Sequence, residues 1–394
     1  MSRKQKKALW SCYVITLLLC GAILFWGFHS SGRFLGSGRA FRVLAFYVMI
    51  PGATFLLGLA LGSKNARLKW LYPFFSAALA YLILLTLTRF REMGNPLHFI
   101  VPFLSASIGI GIGMWIWNLS VKSKGKLKKL AKYAILLGFL VALIHIAHGL
   151  TLDDIMEYKE VTFSSPDVPQ ELDGYRIAFV VDTHFISEER LWGVVEELNQ
   201  RDLDLLLLGG DFAANTAWMR TSVAILSHIE TRDGIFGVEG NHDNHRFLFQ
   251  AMEEQGMTPL SNSGLHIREN FFLAGVEDLW NRSPSIAAAI AGAEPDDFVL
   301  LLSHNPDVAM QQDTTGVHLI LSGHTHGGQI TFFGLWAPYF TVSDHITSYG
   351  QRFRSGWAES HDGTPVFVSN GTGEYLPRIF ARPQVILLTL SHEG

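Results

Sequence analysis

Cysteine is nearly absent from this chain of 394 residues: Cys12 and Cys20 are the only two, and both lie in the first apolar run. A disulfide scaffold is therefore excluded, and any metal site in the second half must be built without thiolate. Charge is scarce as well, at 17 % Asp, Glu, Lys and Arg, where a soluble domain carries about a quarter. That shortage argues against an ordinary soluble protein. Acids are missing from residues 1–150 apart from Glu92, against eighteen Lys and Arg, so that stretch has a net charge of +17. Lysine is missing from residues 151–394 apart from Lys159, and thirteen Lys and Arg face 34 acids there for a net charge of −21. The second half thus has no basic stripe for nucleic acid, and no nucleic-acid partner is expected. The overall charge of −4 averages two regions suited to different surroundings.

What the first half does contain is apolar length. Runs at 8–28, 43–62, 70–88, 98–118 and 133–150 each approach the roughly 20 residues that cross a bilayer core, so an α-helical membrane region of about five spans is expected over 1–150, the short last run with His145 and His148 having a membrane-interface helix as its alternative. The basic start at Arg3, Lys4, Lys6 and Lys7 resembles a signal peptide, but the long run behind it and the four that follow favour an anchor. With the amino terminus inside, thirteen of the eighteen Lys and Arg fall in inner segments and five in outer loops. This bias places the second half outside after an odd number of spans. None of the five apolar cores holds Asp, Glu, Lys or Arg, which favours a passive anchor over the alternative, a transporter or sensor whose metal-binding second half lacks catalysis. Ser105, Gly109 and Gly113 at four-residue spacing suit close packing between spans.

From 151 to 394 the texture changes to short apolar runs alternating with amphipathic stretches. Strands are expected at 176–181, 203–208, 235–238, 271–274, 298–302 and 317–321, and helices at 187–199, 217–230, 245–255 and 284–291, with Ser187 as an N-cap. Alternation of this kind implies an α/β layered domain.

The ionisable residues gather just after those strands. Asp182 and His184 follow the first, Asp211 the second, and Asn241, His242 and Asp243 the third; His304 follows the fifth, and His324 and His326 the sixth. Ligands bind at the carboxyl ends of strands in α/β sheets, so these segments are expected to converge on one crevice. Asp182, His184, Asp211, Asn241, His304, His324 and His326 offer seven oxygen and imidazole donors, too many for one tetrahedral ion and enough for two divalent ions of the Mn, Fe or Zn kind that share a carboxylate. Such a pair can activate a bridging water and stabilise both the attacking and leaving oxygens of a phosphoryl displacement. His145, His148, His228, His318, His345 and His361 fall outside the pattern and are expected to be structural or surface residues. Arg246, Arg378 and Arg382 are surface candidates for drawing an anion toward this acidic half.

The ordered series Asp182-Thr-His184, Gly210-Asp211, Gly240-Asn-His-Asp243, His304 and Gly323-His-Thr-His-Gly-Gly-Gln329 resembles the calcineurin-like metallophosphoesterase superfamily over about 158–390. Gly275 to Trp280, the Ser-His-Asn-Pro-Asp around His304 and the closing Arg-Pro-Gln-Val-Ile-Leu-Leu-Thr-Leu resemble its bacterial membrane-associated branch of phosphodiesterases and UDP-diacylglucosamine pyrophosphatases. The resemblance implies a four-layer αββα sandwich and a bacterial membrane association, and the Lys and Arg bias over five spans places the catalytic domain on the extracytoplasmic side of the cytoplasmic membrane. The implied substrate is a phosphorylated small molecule or lipid. It further implies a first metal held by Asp182, His184 and His326, a second held by Asn241, His304 and His324, and Asp211 between them. His242 would contact the phosphoryl oxygen or protonate the leaving group, with Asp243 either orienting its ring or serving as a local turn or cap. Val181 departs from the small polar residue common before the first Asp, and five spans exceed the single anchor common in the branch.

Overall fold

A computed structural model describes residues 155–394 apart from 185, 213–215, 343 and 374–377, together with scattered residues between 133 and 152. The chain divides into two units, Met1–Leu150 and Thr151–Gly394. The expected spans 8–28, 43–62, 70–88 and 98–118 lie outside the described residues. The fifth, 133–150, is described in part, and Tyr133, Leu137, Leu140, Val141, Ile144, His145, Ala147 and His148 are helical. Among the described residues no helix is long and apolar enough to cross a membrane.

Two six-stranded sheets build the second unit. The first has the order β1-β12-β2-β3-β4-β5, formed by β1 (Glu157–Ser165), β12 (Gln384–His392), β2 (Arg176–Val180), β3 (Leu205–Leu208), β4 (Ile235–Gly237) and β5 (Thr258–Pro259). The second has the order β10-β11-β9-β8-β7-β6, formed by β10 (Gly356–Glu359), β11 (Pro365–Val368), β9 (Leu319–Ser322), β8 (Phe298–Leu302), β7 (Phe271–Gly275) and β6 (Ser263–Arg268). Strands β2 to β5 run parallel, as do β7, β8, β9 and β11, so their carboxyl ends point one way within each sheet.

The strands are apolar on both faces because both faces are covered. Along β2, Ile177 and Phe179 join Leu205, Leu207, Phe271, Phe298, Leu300 and Phe367 in a core between the sheets. Ala178 and Val180 point the other way, toward α1 (Glu188–Leu198), α2 (Thr216–Leu226) and α3 (His245–Glu254). On the outer face of the second sheet, Phe272, Val299 and Leu301 pack against α4 (Ile286–Ala289) and α5 (Val308–Gln311). The result is helix, sheet, sheet, helix. Replacing a residue such as Phe179 by Ala in this core costs about 3–5 kcal/mol.

Helix α1 starts where Ser187 accepts a hydrogen bond from the Arg190 backbone N–H at 3.4 Å, and it buries Leu191, Val194, Val195 and Leu198 on one face. Two helices are shorter than their apolar spacing suggests. The run expected over 217–230 ends at Leu226, because Ser227 Oγ and His228 Nδ1 both turn back to the Ala224 carbonyl, at 2.8 and 2.9 Å. The run expected over 284–291 narrows to α4, which Ser285 caps through the Ala288 N–H. Strands β1, β5, β6, β10, β11 and β12 were not among the six expected. β12 is the most consequential, since it enters the first sheet between β1 and β2.

Candidate metal centre

The seven donor residues arrive from both sheets at the carboxyl ends of their strands. Asp182 and His184 follow β2, Asp211 follows β3, Asn241 follows β4, His304 follows β8, and His324 and His326 follow β9. The loops that carry them interlock by backbone bonds: the Asp182 N–H donates to the Gly210 carbonyl at 2.9 Å and the His184 N–H to the Asp211 carbonyl at 3.1 Å. Asp182, Asp211, His324 and His326 all have positive φ, between 50° and 68°. Asp and His tolerate this left-handed region better than most residues, and strain of this kind clusters where function over-determines the backbone. Gly210 makes the approach of two loops possible, since a Cβ there would lie 2.5 Å from the Gly240 nitrogen.

One set of donors is aimed by backbone carbonyls. His304 Nδ1 donates to the Gly209 carbonyl at 2.9 Å, which aims Nε2 inward. His324 Nε2 donates to the Ile346 carbonyl at 3.0 Å, which leaves Nδ1 facing inward. Around His304 Nε2 stand Asn241 Oδ1 at 3.2 Å, His324 Nδ1 at 3.2 Å and Asp211 Oδ2 at 3.3 Å. Four potential donor atoms crowded this closely suit a cation that displaces the His304 Nε2 proton, and Asp211, His304 and His324 meet within 4.8 Å.

The other set brings Asp182, His184 and His326 within 4.8 Å, with His184 Nε2 and His326 Nε2 3.1 Å apart and Asp182 Oδ1 3.7 Å from the latter. Here an arginine takes part. Arg378 is fully buried, not on the surface as its sequence suggested, and donates to the carbonyls of Gly373, Asn370, Ala381 and His326. Its Nη2 also lies 3.1 Å from His326 Nδ1. A guanidinium only donates, so a neutral His326 in this pose carries its proton on Nε2 and shares it with His184. His326 joins a cation by releasing that proton or turning its ring.

The electrostatics follow from burial and proximity. Burial lifts the Asp182 carboxyl to about 7, against the pull of His304. Burial lowers His184 to about 4 and His324 to about 3, keeping both imidazoles neutral. Burial opposes charge on His304 too, but Asp211 and Asp182 outweigh it and raise the ring to about 10, while His304 in turn holds Asp211 well below the usual carboxylate range despite burial. A divalent cation would take over the role of that imidazolium.

His242 stands exposed at the rim, its ring centroid 5.5 Å from that of His184 and its backbone N–H donating to Asp211 Oδ1 at 2.8 Å. His184, Asp211 and His242 also meet within 4.8 Å. The carboxylate of Asp243 does not orient the His242 ring. Its oxygens accept from the backbone N–H groups of Asp211, Gly240 and Phe212 at 2.7, 2.9 and 2.9 Å, because the turn after β4 folds back onto the loop after β3. Asp243 ties two loops together, as a local cap does.

Some contributors escaped the sequence reading. Asn370, Gly371, Thr372 and Gly373 follow β11, and the Thr372 and Gly373 N–H groups bind the Val181 and Asp182 carbonyls. Turn residues directly after an apolar run were the available signal, obscured because β11 was not recognised. Trp280 packs edge-on against His324 at 4.6 Å between centroids and stacks on His345 at 5.6 Å, so His345 borders the site and is more than a surface residue. Asn281 Nδ2 donates to the Asn241 carbonyl at 2.6 Å, and buried Asp278 fixes the turn by accepting from the Trp280 and Asn281 N–H groups. Of the other arginines, Arg246 is exposed, and Arg382 is committed to the Ile155 carbonyl.

Residues 175–328 match the calcineurin-like phosphoesterase family. The chain is 28 % identical over 254 residues to the uncharacterized metallophosphoesterase YkuE of Bacillus subtilis, a match covering 60 % of this chain and 86 % of that one. It is 28 % identical over 240 residues to phosphodiesterase YaeI of Escherichia coli, covering 55 % and 82 %. It is 27 % identical over 248 residues to a zebrafish (Danio rerio) transmembrane protein with metallophosphoesterase domain, covering 57 % of this chain and only 54 % of that relative. The chain carries a calcineurin-like metallophosphoesterase domain, and with it the metal-dependent phosphoesterase activity of that family.

Proposed function

We propose that the protein is a membrane-anchored hydrolase that uses two divalent ions to cleave a phosphodiester, phosphomonoester or pyrophosphate bond, in a lipid or envelope precursor. The observation that carries this reading is the convergence of seven oxygen and imidazole side chains on one site at the carboxyl ends of the strands. Asp182, His184 and His326 would hold one ion and Asn241, His304 and His324 the other, with Asp211 shared. Bound there, the ions supply Lewis acidity toward phosphoryl oxygens and lower the pKa of a water. The remaining work belongs to the chain. His242, exposed beside His184, is placed to donate to a phosphoryl oxygen or to hand a proton to the leaving oxygen. Asp243 keeps that turn closed on Asp211. Trp280 and His345 form an aromatic wall on the His324 side, against which the rest of a substrate can rest.

The anchor reading rests on the five apolar runs, their lack of charge and the Lys and Arg bias, and it puts the domain on the outer side of a bacterial cytoplasmic membrane. The name of the zebrafish relative supports it. The test is a substrate panel on the full-length chain with added Mn: a soluble phosphomonoester, a soluble phosphodiester and a lipid-linked pyrophosphate. Turnover that disappears with chelation and in Asp211→Asn is expected. No turnover on any of the three, or an Asp211→Asn variant equal to the parent, overturns the reading.

A further inference from the structure

Behind His326 the chain makes an apolar turn that nothing in the catalytic reading uses. From Thr314 through Ser343 it carries no Lys, Arg, Asp or Glu, inside a half whose net charge is −21. Within this stretch Leu335 is 78 % exposed, Trp336 44 % and Tyr339 39 %. Large apolar side chains this exposed and this close in sequence mark an interaction surface, and Trp and Tyr are the residues that favour the water–lipid boundary.

The backbone is bent to present them. Phe333 and Gly334 have φ of 52° and 73°, a costly conformation for Phe. The bend is held from behind: Thr331 Oγ1 donates to the Ile379 and Phe380 carbonyls at 3.1 Å each, and the Phe333 ring packs on Phe380 at 5.2 Å. Trp336 Nε1 donates to Thr341 Oγ1 at 2.9 Å, so its polar edge is satisfied while its ring stays exposed. The turn is also fastened to the site. Gln351 brackets Ala337 with two hydrogen bonds, of 2.7 and 3.0 Å, and Ala337 packs so tightly on Gly328, two residues after His326, that no Cβ fits there.

The same stretch holds the point where the chain enters this unit. Arg382, two residues after Phe380, donates through Nε and Nη2 to the Ile155 carbonyl at 3.3 and 3.2 Å. Ile155 is itself exposed. The segment arriving from the five apolar runs and the apolar turn are therefore linked through residues 379–382.

We infer that the turn around Leu335, Trp336 and Tyr339 seats on the surface of a lipid bilayer, bringing the metal centre to the height of phospholipid headgroups. The occupant is lipid because the chain that enters beside the turn carries five bilayer-length apolar runs, and because the turn is free of the acids that dominate the rest of this half. The inference rests on the reading of residues 1–150 as an anchor. It adds a second contact that limits which phosphoryl groups reach the site, favouring those anchored in the same leaflet.

The test uses the full-length chain with Cys12→Ser and Cys20→Ser and an environment-sensitive fluorophore at Leu335→Cys. It is reconstituted in vesicles of phosphatidylethanolamine and phosphatidylglycerol containing brominated lipid. A control probe at Glu230→Cys lies just before β4, at the opposite ends of the strands. At least twofold stronger quenching at 335 than at 230 is expected. Equal quenching in protein that co-floats with vesicles overturns the inference and leaves the anchor intact, whereas failure to co-float overturns both. Crosslinking between 335 positions without quenching means a second copy covers the turn, and also overturns it. In a second arm, Leu335→Asp with Trp336→Ser should lower hydrolysis of a lipid-embedded phosphodiester at least fivefold while leaving a soluble phosphodiester unchanged. Equal rates on the lipid for variant and parent overturn the inference; a parent inactive on both substrates overturns the proposed function instead.

Discussion

The two halves of the candidate metal centre are held in place by different means. Around His304 and His324, each ring has its outer nitrogen fixed by a backbone carbonyl, Gly209 for one and Ile346 for the other, so the inner nitrogens are aimed before any ion arrives. Around His184 and His326, orientation comes from the buried guanidinium of Arg378, which faces His326 Nδ1 and leaves a proton between the two rings. One half has its rings aimed in advance and need only release the His304 proton; the other must release a proton or turn the His326 ring. The difference teaches that a symmetric-looking set of donors can have unequal readiness, and it predicts sequential occupancy, with the His304 half filling first in a calorimetric titration with Mn.

The largest effect should come from the residue the halves share. Asp211→Asn removes the carboxylate that lies 3.3 Å from His304 and 3.8 Å from His184, and hydrolysis of a soluble phosphodiester at saturating Mn is expected to fall roughly 10³-fold or more. Next comes Arg378→Ala, which strikes one half only. Four carbonyls lose a buried donor at about 1–3 kcal/mol each before relaxation, so a stability loss of about 4 kcal/mol in denaturant titration is expected. Arg378→Lys keeps charge without the planar fork and should recover less than half of it. If Arg378→Ala leaves stability unchanged and weakens both metal steps equally, the division into halves fails.

Asp307→Ala strikes the other half from a distance. Asp307 accepts from Thr347 Oγ1 at 2.5 Å and the Ser348 N–H at 2.8 Å, which places the Ile346 carbonyl on His324. Partners of metal-binding histidines are worth roughly 10- to 100-fold in affinity, so the tighter Mn step should weaken by about tenfold and the weaker step should not move. The opposite pattern would show that Ile346 does not aim His324.

How much of this was legible beforehand depends on range. The strands that carry Asp182, Asp211 and His304 are short apolar runs ending in polar turns, and their convergence follows from the parallel α/β rule, so the donor set could be read from 176–181, 203–208 and 298–302. Strand β12 was hidden because its partners β1 and β2 lie more than two hundred residues away, and a buried apolar run looks alike in strand or helix. Arg378 was misplaced for a related reason. Sequence alone gives arginine a surface prior, and only the folded loops after β9 and β11 supply the carbonyls that make its burial tolerable. The sequence leaves Asp243 open between orienting its neighbour His242 and capping a local turn, because the backbone partners that decide it, Asp211 and Phe212, lie 32 and 31 residues away.

The smallest expected effect also bears on the comparison. Among the described residues Trp280 meets the His304 half, through His324, and its partly exposed ring stacks on His345. If it served mainly to hold His324, Trp280→Ala would weaken the tighter Mn step as Asp307→Ala does. The Ile346 carbonyl already fixes that ring, so the aromatic contact adds only about 0.5–1.5 kcal/mol, available to whatever rests against the exposed face. A rise in KM of about three- to tenfold is therefore expected for a phosphodiester with an aromatic or bulky leaving group, with kcat and Mn affinity nearly unchanged. A loss confined to kcat would instead make Trp280 part of the support of the prearranged half.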